Sequence, residues 1–395
     1  MTYPSRRAGL GVLLAVSALL ATAAQSPART EKPEPWVRGW GENANGQLGN
    51  AATLNQQTPS AVRGLAHDDV RRLAAGGISA NSAFAVALLN NGTVQAWGNA
   101  VRGQLGDGTT TSRPYPAVVA GLSGVTEVAA GAVSAYAVRN GRVLAWGDNA
   151  YGQLGNGSTA AGTDPPTSRP IAVQSLNKVK GISAGCQHVA ALREDGSVWT
   201  WGRNEQGQLG NGSTTGRDTP QKVTGLQDVV AVAAGCHHTV ALTADGTLKA
   251  WGRNRNGQLA NGTTESSSIP VNVQHLDNVV GIVAATHHNF AFLDDGTVRA
   301  WGWNNAGQLG DGTATDRTTP VPLPNLTGVK ALAGGNNHTL AVLDDQTVVA
   351  WGDNTNGQLG DASITSSLTP VTALPAGSGT TRLAASRAWH SSYAY

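Results

Sequence analysis

Short apolar segments of five or six residues alternate with glycine-rich turns along most of the chain, in groups of four. In one group the segments are Val229 to Ala234, Thr239 to Thr243, Thr247 to Trp251 and Pro270 to Val273. An Asn-Gly or Asp-Gly pair separates the second and third segments in most groups, as at Asp245-Gly246, and such pairs favour two-residue hairpins. The pattern therefore predicts four antiparallel strands in each group.

A ten-residue motif, Trp-Gly-x-Asn-x-x-Gly-Gln-Leu-Gly, shows that the groups are copies of one unit. Its Trp recurs at intervals of 49 to 57 residues, at Trp40, Trp97, Trp146, Trp201, Trp251, Trp301 and Trp351. Ala100 replaces the Asn in the second copy and Ala260 replaces the last Gly in the fifth. Four-stranded units that cannot bury both faces alone should pack radially. We therefore predict an all-β, seven-bladed β-propeller, with the recurring Trp filling the gap between blades.

The two ends of the repeat region supply complementary parts of one blade. After the last motif the chain offers a first and a second strand, at Arg382 to Ala385 and His390 to Tyr395, but no third. Trp36 to Trp40 offers a third strand that has no predecessor. Pairing of these strands would close the ring and remove exposed sheet edges. We therefore assign residues 36–395 to the propeller.

The N-terminal segment has the pattern of a secretory signal. Arg6 and Arg7 precede an apolar run from Leu10 to Leu20, and Ala21-Thr22-Ala23 supplies small residues for cleavage. We predict a signal peptide over residues 1–28 and a Pro/Glu-rich linker over residues 29–35. The expected location is extracellular or periplasmic, without stable membrane insertion once the signal is removed.

The charge content of the chain and the motifs it lacks exclude several classes of function. Only 13% of the 395 residues are charged, and without Arg6 and Arg7 the basic residues equal the 25 acidic ones. Lys/Arg runs longer than two are absent, so the sequence does not favour nucleic-acid binding. It also lacks a phosphate-binding loop, a Gly-x-Ser-x-Gly elbow and a distinctive pair of acidic residues. We predict a monomeric protein without enzymatic activity or cofactor.

Histidines and cysteines recur at fixed repeat positions. His188, His238, His288 and His338 share one position, which we interpret as a structural histidine whose ring nitrogen caps a turn; His390 nearly shares it. His237, His287 and Cys236 form the cluster that merits a zinc test, although no metal site is predicted. Cys186 and Cys236 occupy equivalent positions in adjacent repeats. A disulfide and two buried free thiols are both open interpretations.

Strand order predicts which loops share a face. The turn between strands one and two and the loop between strands three and four should emerge together, at what we call the upper face. Residues next to the invariant Gly-Gln-Leu vary there, as expected for a rigid frame carrying a binding surface. The alternative is a solvated rim with its aromatic side chains folded onto neighbouring blades. The predicted protein-binding residues are Trp303, Tyr151, Arg203, Arg253, Arg255, Arg102, Asp148 and Asp353.

The repeated motif, followed by Ala-Gly-x-x-His and Asp-Gly, resembles the regulator of chromosome condensation repeat over Trp36 to Tyr395. That resemblance implies a seven-bladed propeller. It implies no single function, because the family includes exchange factors for a Ran-type GTPase, ubiquitin-ligase subunits and secreted bacterial inhibitors such as β-lactamase inhibitory protein II.

Three functions are consistent with these observations. The first is a secreted, non-enzymatic propeller that binds an unknown protein on one face and inhibits an extracellular or envelope enzyme. The second is a guanine nucleotide exchange factor for a small GTPase, which the predicted export signal disfavours. The third is a protein that binds or acts on cell-wall or carbohydrate material, which the absence of an acid/base pair disfavours.

Overall fold

Antiparallel β-strands form nearly all the regular structure in the computed structural model, which describes residues 36–79, 81–159, 167–324, 326–386 and 390–395. Within these residues the chain forms seven sheets of four strands each, arranged as a closed ring. The seven-bladed propeller predicted from the sequence is therefore confirmed. The predicted signal peptide, residues 1–28, and linker, residues 29–35, lie outside the described residues.

The first two strands belong to the blade that closes the ring, which we number 7; they are β1 (Trp36–Gly41) and β2 (Gln56–Ala66). A 3₁₀ turn, His67–Asp69, leads to blade 1. Blade 1 contains β3 (Val70–Gly76), β4 (Phe84–Leu89), β5 (Val94–Gly98) and β6 (Arg113–Val118). Blade 2 contains β7 (Val125–Ala130), β8 (Ser134–Arg139), β9 (Arg142–Gly147) and β10 (Thr167–Ala172). Blade 3 contains β11 (Val179–Ala184), β12 (His188–Arg193), β13 (Val198–Gly202) and β14 (Arg217–Lys222).

The remaining blades repeat this arrangement. Blade 4 contains β15 (Val229–Ala234), β16 (His238–Thr243), β17 (Leu248–Gly252) and β18 (Ser267–Asn272). Blade 5 contains β19 (Val279–Ala284), β20 (His288–Leu293), β21 (Val298–Gly302) and β22 (Arg317–Pro322). Blade 6 contains β23 (Val329–Gly334), β24 (His338–Leu343), β25 (Val348–Gly352) and β26 (Ser367–Leu374). Blade 7 is completed by β27 (Leu383–Ala385) and β28 (Ser391–Ala394).

The closing blade joins strands from both ends of the repeat region. Its strand order is β2-β1-β28-β27, with β27 innermost. In the β1–β28 pair, Arg38 lies opposite Ala394 and Trp40 lies opposite Ser392. The innermost strand of each blade contacts that of the next around the whole ring, so the predicted closure by terminal strands is confirmed.

The seven recurring tryptophans join neighbouring blades. Each is fully buried, and each indole Nε1 donates a hydrogen bond of 2.6–3.0 Å to the backbone carbonyl of the motif Gln in the preceding blade. Trp251, for example, bonds Gln208 and packs against Val198 and Val223 of blade 3. The predicted position of the tryptophans between blades is confirmed.

The repeated histidines also connect blades, because their Nε2 atoms bond a side chain of the next blade. His188 Nε2 lies 2.9 Å from the Thr239 hydroxyl of the next blade, which itself donates to the Gln208 carbonyl at 3.1 Å. His338 makes the same link to Ser392, at 2.9 Å, across the closing seam. Each joint therefore centres on one glutamine carbonyl.

The structure corrects the assignment of His390 to this set. Ser391 pairs with Gly41 just as His238 pairs with Gly252 in blade 4. His390 is therefore the counterpart of His237, one position earlier, and lies in an upper-face turn rather than in the joint.

The buried joint histidines predict a loss of stability at acid pH. Burial, with help from His390 and His288, lowers the pKa of His338 to about 3, and burial also lowers the pKa of His288 to about 3. Unfolded histidine titrates near pH 6.5, so the unfolded chain binds more protons between about pH 6.5 and 3. The free energy of unfolding should therefore fall as pH drops through this window, by up to about 1.4 kcal/mol per pH unit for each histidine.

His338→Gln should show a shallower pH dependence than the parent in urea unfolding between pH 6.5 and 4.5. Burial raises the pKa of Glu42 to about 7, so Glu42 makes the free energy of unfolding rise as pH falls, in the parent and the variant alike. The difference in pH dependence between the two proteins therefore reports His338 alone. Equal slopes would show that His338 titrates normally in the folded chain.

Candidate functional site

The upper-face loops are held rigid by the motif asparagine. In blade 4, Asn254 Oδ1 accepts from the Leu259 backbone at 2.8 Å, and its Nδ2 donates to the carbonyls of Thr263 and Glu265 at 3.0 Å. The same pattern recurs in blades 3, 5 and 6. The side chain that follows each Trp-Gly pair is thereby presented from a fixed backbone. In blade 1, where Ala100 replaces the asparagine, the Ser112 hydroxyl accepts from the Ala100 backbone.

Tyr151 and Arg203 meet at the seam between blades 2 and 3. The Arg203 guanidinium lies 4.7 Å from the centre of the Tyr151 ring, within cation–π range. It donates to Gln187 Oε1 at 2.7 Å and forms an ion pair with Glu205. These residues border a groove of about 330 Å³ that also contains Asp218. Arg203 is thus already bound by three neighbours.

Trp303 heads a row of three aromatic rings across blades 5 and 4. Its half-buried indole meets His287 edge-on at 5.5 Å, and His287 stacks on His237 at 6.1 Å. Burial, followed by the charges of Arg203 and Arg253, lowers the pKa of His237 to about 4. Burial, followed by the charge of Arg253, lowers the pKa of His287 to about 2. Both imidazoles are therefore neutral at neutral pH.

Arg253 lies beside this row and is incompletely hydrogen-bonded. Its Nε atom is buried and has no hydrogen-bond partner among the described residues. Burial, followed by the charge of Arg255, lowers the Arg253 pKa. Arg255 is exposed and borders a second groove, of about 470 Å³, with Gln206 and Glu265. The half-buried Arg253 side chain forms no ion pair among the described residues, so its accessible nitrogens favour a carboxylate from outside.

The other predicted residues lie outside this group or serve the loops. Asp148 accepts from Gln153 Nε2 at 2.8 Å, and Asp353 accepts from Gln358 Nε2 at 2.8 Å. Asp353 also lies 3.3 Å from His390 Nδ1. Arg102 is exposed on blade 1. The structure therefore brings together Trp303, Arg253, Arg203, Tyr151 and Arg255, on blades 2 to 5.

Glu42 is an upper-face residue whose burial the sequence does not indicate. It follows the Trp-Gly pair in blade 7 and is 7% exposed, and its Oε2 has no hydrogen-bond partner within the described part of the chain. The Gln47 side-chain amide nitrogen is likewise without a partner there, whereas the equivalent Gln153 and Gln358 bond an aspartate.

Cys186 and Cys236 form a disulfide between blades 3 and 4. Their Cα atoms lie 4.4 Å apart, in the turns between the first and second strands. Cys236 Sγ is 3.5 Å from His237 Nε2. No group of three His, Cys, Asp or Glu side chains suited to a metal ion occurs in residues 36–395 where these are described. Nor does any helix among them have the length and apolar character needed to cross a bilayer.

Known proteins resemble parts of this chain in sequence. Human HERC2, an E3 ubiquitin-protein ligase, is 33% identical over 177 residues, which is 44% of this chain and 4% of HERC2. The ultraviolet-B receptor UVR8 of Arabidopsis thaliana is 34% identical over 141 residues, which is 35% of this chain and 31% of UVR8. The chain thus spans less than a third of the length of either relative.

Solved propellers match nearly the whole fold. Prp20p of Saccharomyces cerevisiae superposes with a TM-score of 0.79 at 23% identity, covering 91% of this chain and 90% of that one. Human WBSCR16 also gives 0.79, at 20% identity, covering 91% and 98%. These similarities concern the fold.

Family models match both halves of the chain. Models of the regulator of chromosome condensation (RCC1) repeat match residues 295–342, 279–308 and 329–358. The model of the RCC1-like domain matches residues 16–285, which is more than half of the sequence. The chain therefore belongs to the RCC1-like domain family.

Proposed function

We propose that the protein is a non-enzymatic binding propeller that holds an acidic segment of another protein on its upper face. The observation that carries this proposal is the half-buried Arg253 guanidinium, which lies beside neutral aromatic rings and forms no ion pair among the described residues. Arginine and tryptophan together are typical of the residues that dominate binding energy in protein interfaces.

The charges of the group support an acidic partner. Arg203 is paired with Glu205, and Asp218 and Glu265 line the flanking grooves, but neither Arg253 nor Arg255 forms an ion pair among the described residues. A partner carboxylate would pair with the solvent-facing nitrogens of the half-buried Arg253 guanidinium, and an apolar or aromatic side chain beside it would pack on Trp303. The rigid loops require little reordering on binding, which favours affinity.

The proposed site of action is outside the cell, and the proposed partner is an extracellular or envelope enzyme that the propeller inhibits by covering its surface. The predicted signal peptide supports export, and the resemblance to secreted inhibitors supports inhibition. A cytoplasmic exchange factor is the second candidate. It is favoured by the fold-level similarity to Prp20p, whose structure was reported together with binding to Gsp1p and histones.

Affinity capture with matched variants tests the proposal. The bait is the chain without residues 1–28, and the sources are culture medium, envelope extract and cytosol. A discrete protein from medium or envelope should be retained by the parent and lost with Trp303→Ala/Arg253→Ala. The control variant, Trp199→Ala/Arg299→Ala, removes a tryptophan and an arginine near the opposite hairpins and should retain it.

Binding of the purified partner should then weaken by about 30-fold or more for each single upper-face substitution, as expected for a dominant interface residue. A panel of secreted proteases and β-lactamases tests inhibition directly. Retention by the upper-face double variant would show that another surface binds. Capture of a cytosolic GTPase alone, with release of its nucleotide, would support the exchange factor.

A further inference from the structure

A cavity of about 540 Å³ lies on the axis of the ring, lined by the innermost strands of all seven blades. Its wall at the lower end, opposite the upper face, is uneven. One position is equivalent in all blades: it follows the bulge in the inner strands of blades 1 to 6 and precedes β27 in blade 7. Four blades carry Gly or Ala there, and three carry long charged side chains. In order from blade 1 these residues are Arg72, Glu127, Gly181, Ala231, Gly281, Ala331 and Arg382. The small residues leave room beside the charged ones.

Closure of the ring brings two guanidinium groups to this end. Arg382, the residue before β27, donates through Nη1 to the Arg71 carbonyl at the start of β3. Arg72 is the next residue and forms an ion pair with Glu127. Arg382 has no carboxylate partner within the described residues. Two cations and one carboxylate therefore line the lower end of the cavity.

The buried hydroxyl of Tyr395 adds a hydrogen-bond donor at the lower end of the cavity. Tyr395 lines the cavity and is 6% exposed, and its Oη accepts a hydrogen bond of 2.9 Å from the Leu73 backbone. The hydroxyl proton has no acceptor among the described residues. Burial raises the pKa of Tyr395, against the opposing charges of Arg72 and Arg382, so the hydroxyl is protonated at neutral pH. Its position between two guanidinium groups suits an anionic acceptor.

We infer that the lower end of the axial cavity is a binding site for a compact oxyanion of the phosphate or sulfate type, contacted by Arg72, Arg382 and the Tyr395 hydroxyl. A tetrahedral anion offers acceptors in several directions and so matches donors arriving from two blades, whereas a carboxylate has two oxygens in one plane. The cavity above the anion has room for a substituent on one of its oxygens. This site is separate from the upper face and independent of its partner.

Isothermal titration calorimetry of the full chain at fixed ionic strength tests the inference, with inorganic phosphate and phenyl phosphate as ligands and chloride as the balancing anion. Inorganic phosphate and phenyl phosphate should each bind saturably at one site. Arg72→Gln/Arg382→Gln should weaken it by at least about tenfold, because each guanidinium supplies a charge-assisted hydrogen bond. Tyr395→Phe, which deletes one oxygen, should weaken it by about threefold or more. Lys180→Gln, which removes an exposed cation from blade 3, should leave it unchanged.

Tighter binding of phenyl phosphate would assign the ligand as a phosphate ester whose substituent enters the cavity, and tighter binding of inorganic phosphate would assign the free ion. Absence of saturable binding to the parent would overturn the inference. So would equal affinities in the parent and in Tyr395→Phe, a variant whose ring still fills its place if the double variant does not fold.

Discussion

Trp251→Ala is expected to lower the free energy of unfolding by about 3–5 kcal/mol, the usual cost of removing a fully buried tryptophan. The indole is 0% exposed and fills the space between blades 3 and 4, so its removal leaves a cavity in the joint. Its 2.9 Å hydrogen bond to the Gln208 carbonyl is lost as well, although Thr239 still donates to that carbonyl. Equilibrium unfolding in guanidinium chloride measures the change.

Trp303→Ala is the matched control for this prediction, since it removes the same side chain from the upper face. It should cost only about 1 kcal/mol, because the half-buried Trp303 loses one edge-on contact with His287. Equal losses for the two variants would contradict the division between joint and surface tryptophans, and would also remove Trp303 from the proposed interface.

Removal of the disulfide should lower the free energy of unfolding by a similar amount. Cys186→Ser/Cys236→Ser opens a cross-link between residues 50 positions apart, for which the chain-entropy model gives about 4 kcal/mol. The expected result is a lower unfolding midpoint for the double variant and for the reduced parent. The two should agree with each other, since both lose the same constraint on the unfolded chain.

Reductant should leave the double variant unchanged, which separates the disulfide from other effects of reduction. A parent chain whose unfolding is insensitive to reductant, and whose thiols react fully without it, would show that the two cysteines are free. The cross-link also fixes the turn that carries His237, so its loss should weaken partner binding more than Lys180→Gln does.

The sequence was sufficient to predict the fold because the same chemistry is repeated seven times. Each motif Trp donates to the backbone carbonyl of the motif Gln in the preceding blade, so one unit explains the others. The predicted and observed strands differ at their ends. For example, β18 begins at Ser267 rather than at Pro270, because its pairing with β17 shifts by a bulge. The closing blade was equally predictable from which strands were missing at each end.

The site was less predictable, because it depends on contacts between repeats that no local pattern encodes. Arg203 and Arg253 occupy equivalent positions in adjacent repeats. Arg203 is held by Gln187 and Glu205, whereas the buried Nε of Arg253 has no hydrogen-bond partner among the described residues. The approach of Arg382 to Arg71 was missed for the same reason. They are 311 residues apart and become neighbours only through the ring.

Blade 7 cannot be completed until β27 and β28 have been synthesised. The Ser391 hydroxyl bonds the carbonyl of Glu42, which is synthesised 349 residues earlier, so β1 has only β2 as a sheet partner until β28 is made. Contacts so distant in sequence form slowly and late in folding. A product truncated before β28 would have an open ring with β1 as an edge, and it would also lack Tyr395 at the axial cavity. Synthesis of β28 and Tyr395 therefore permits closure of the ring and formation of the proposed oxyanion site together.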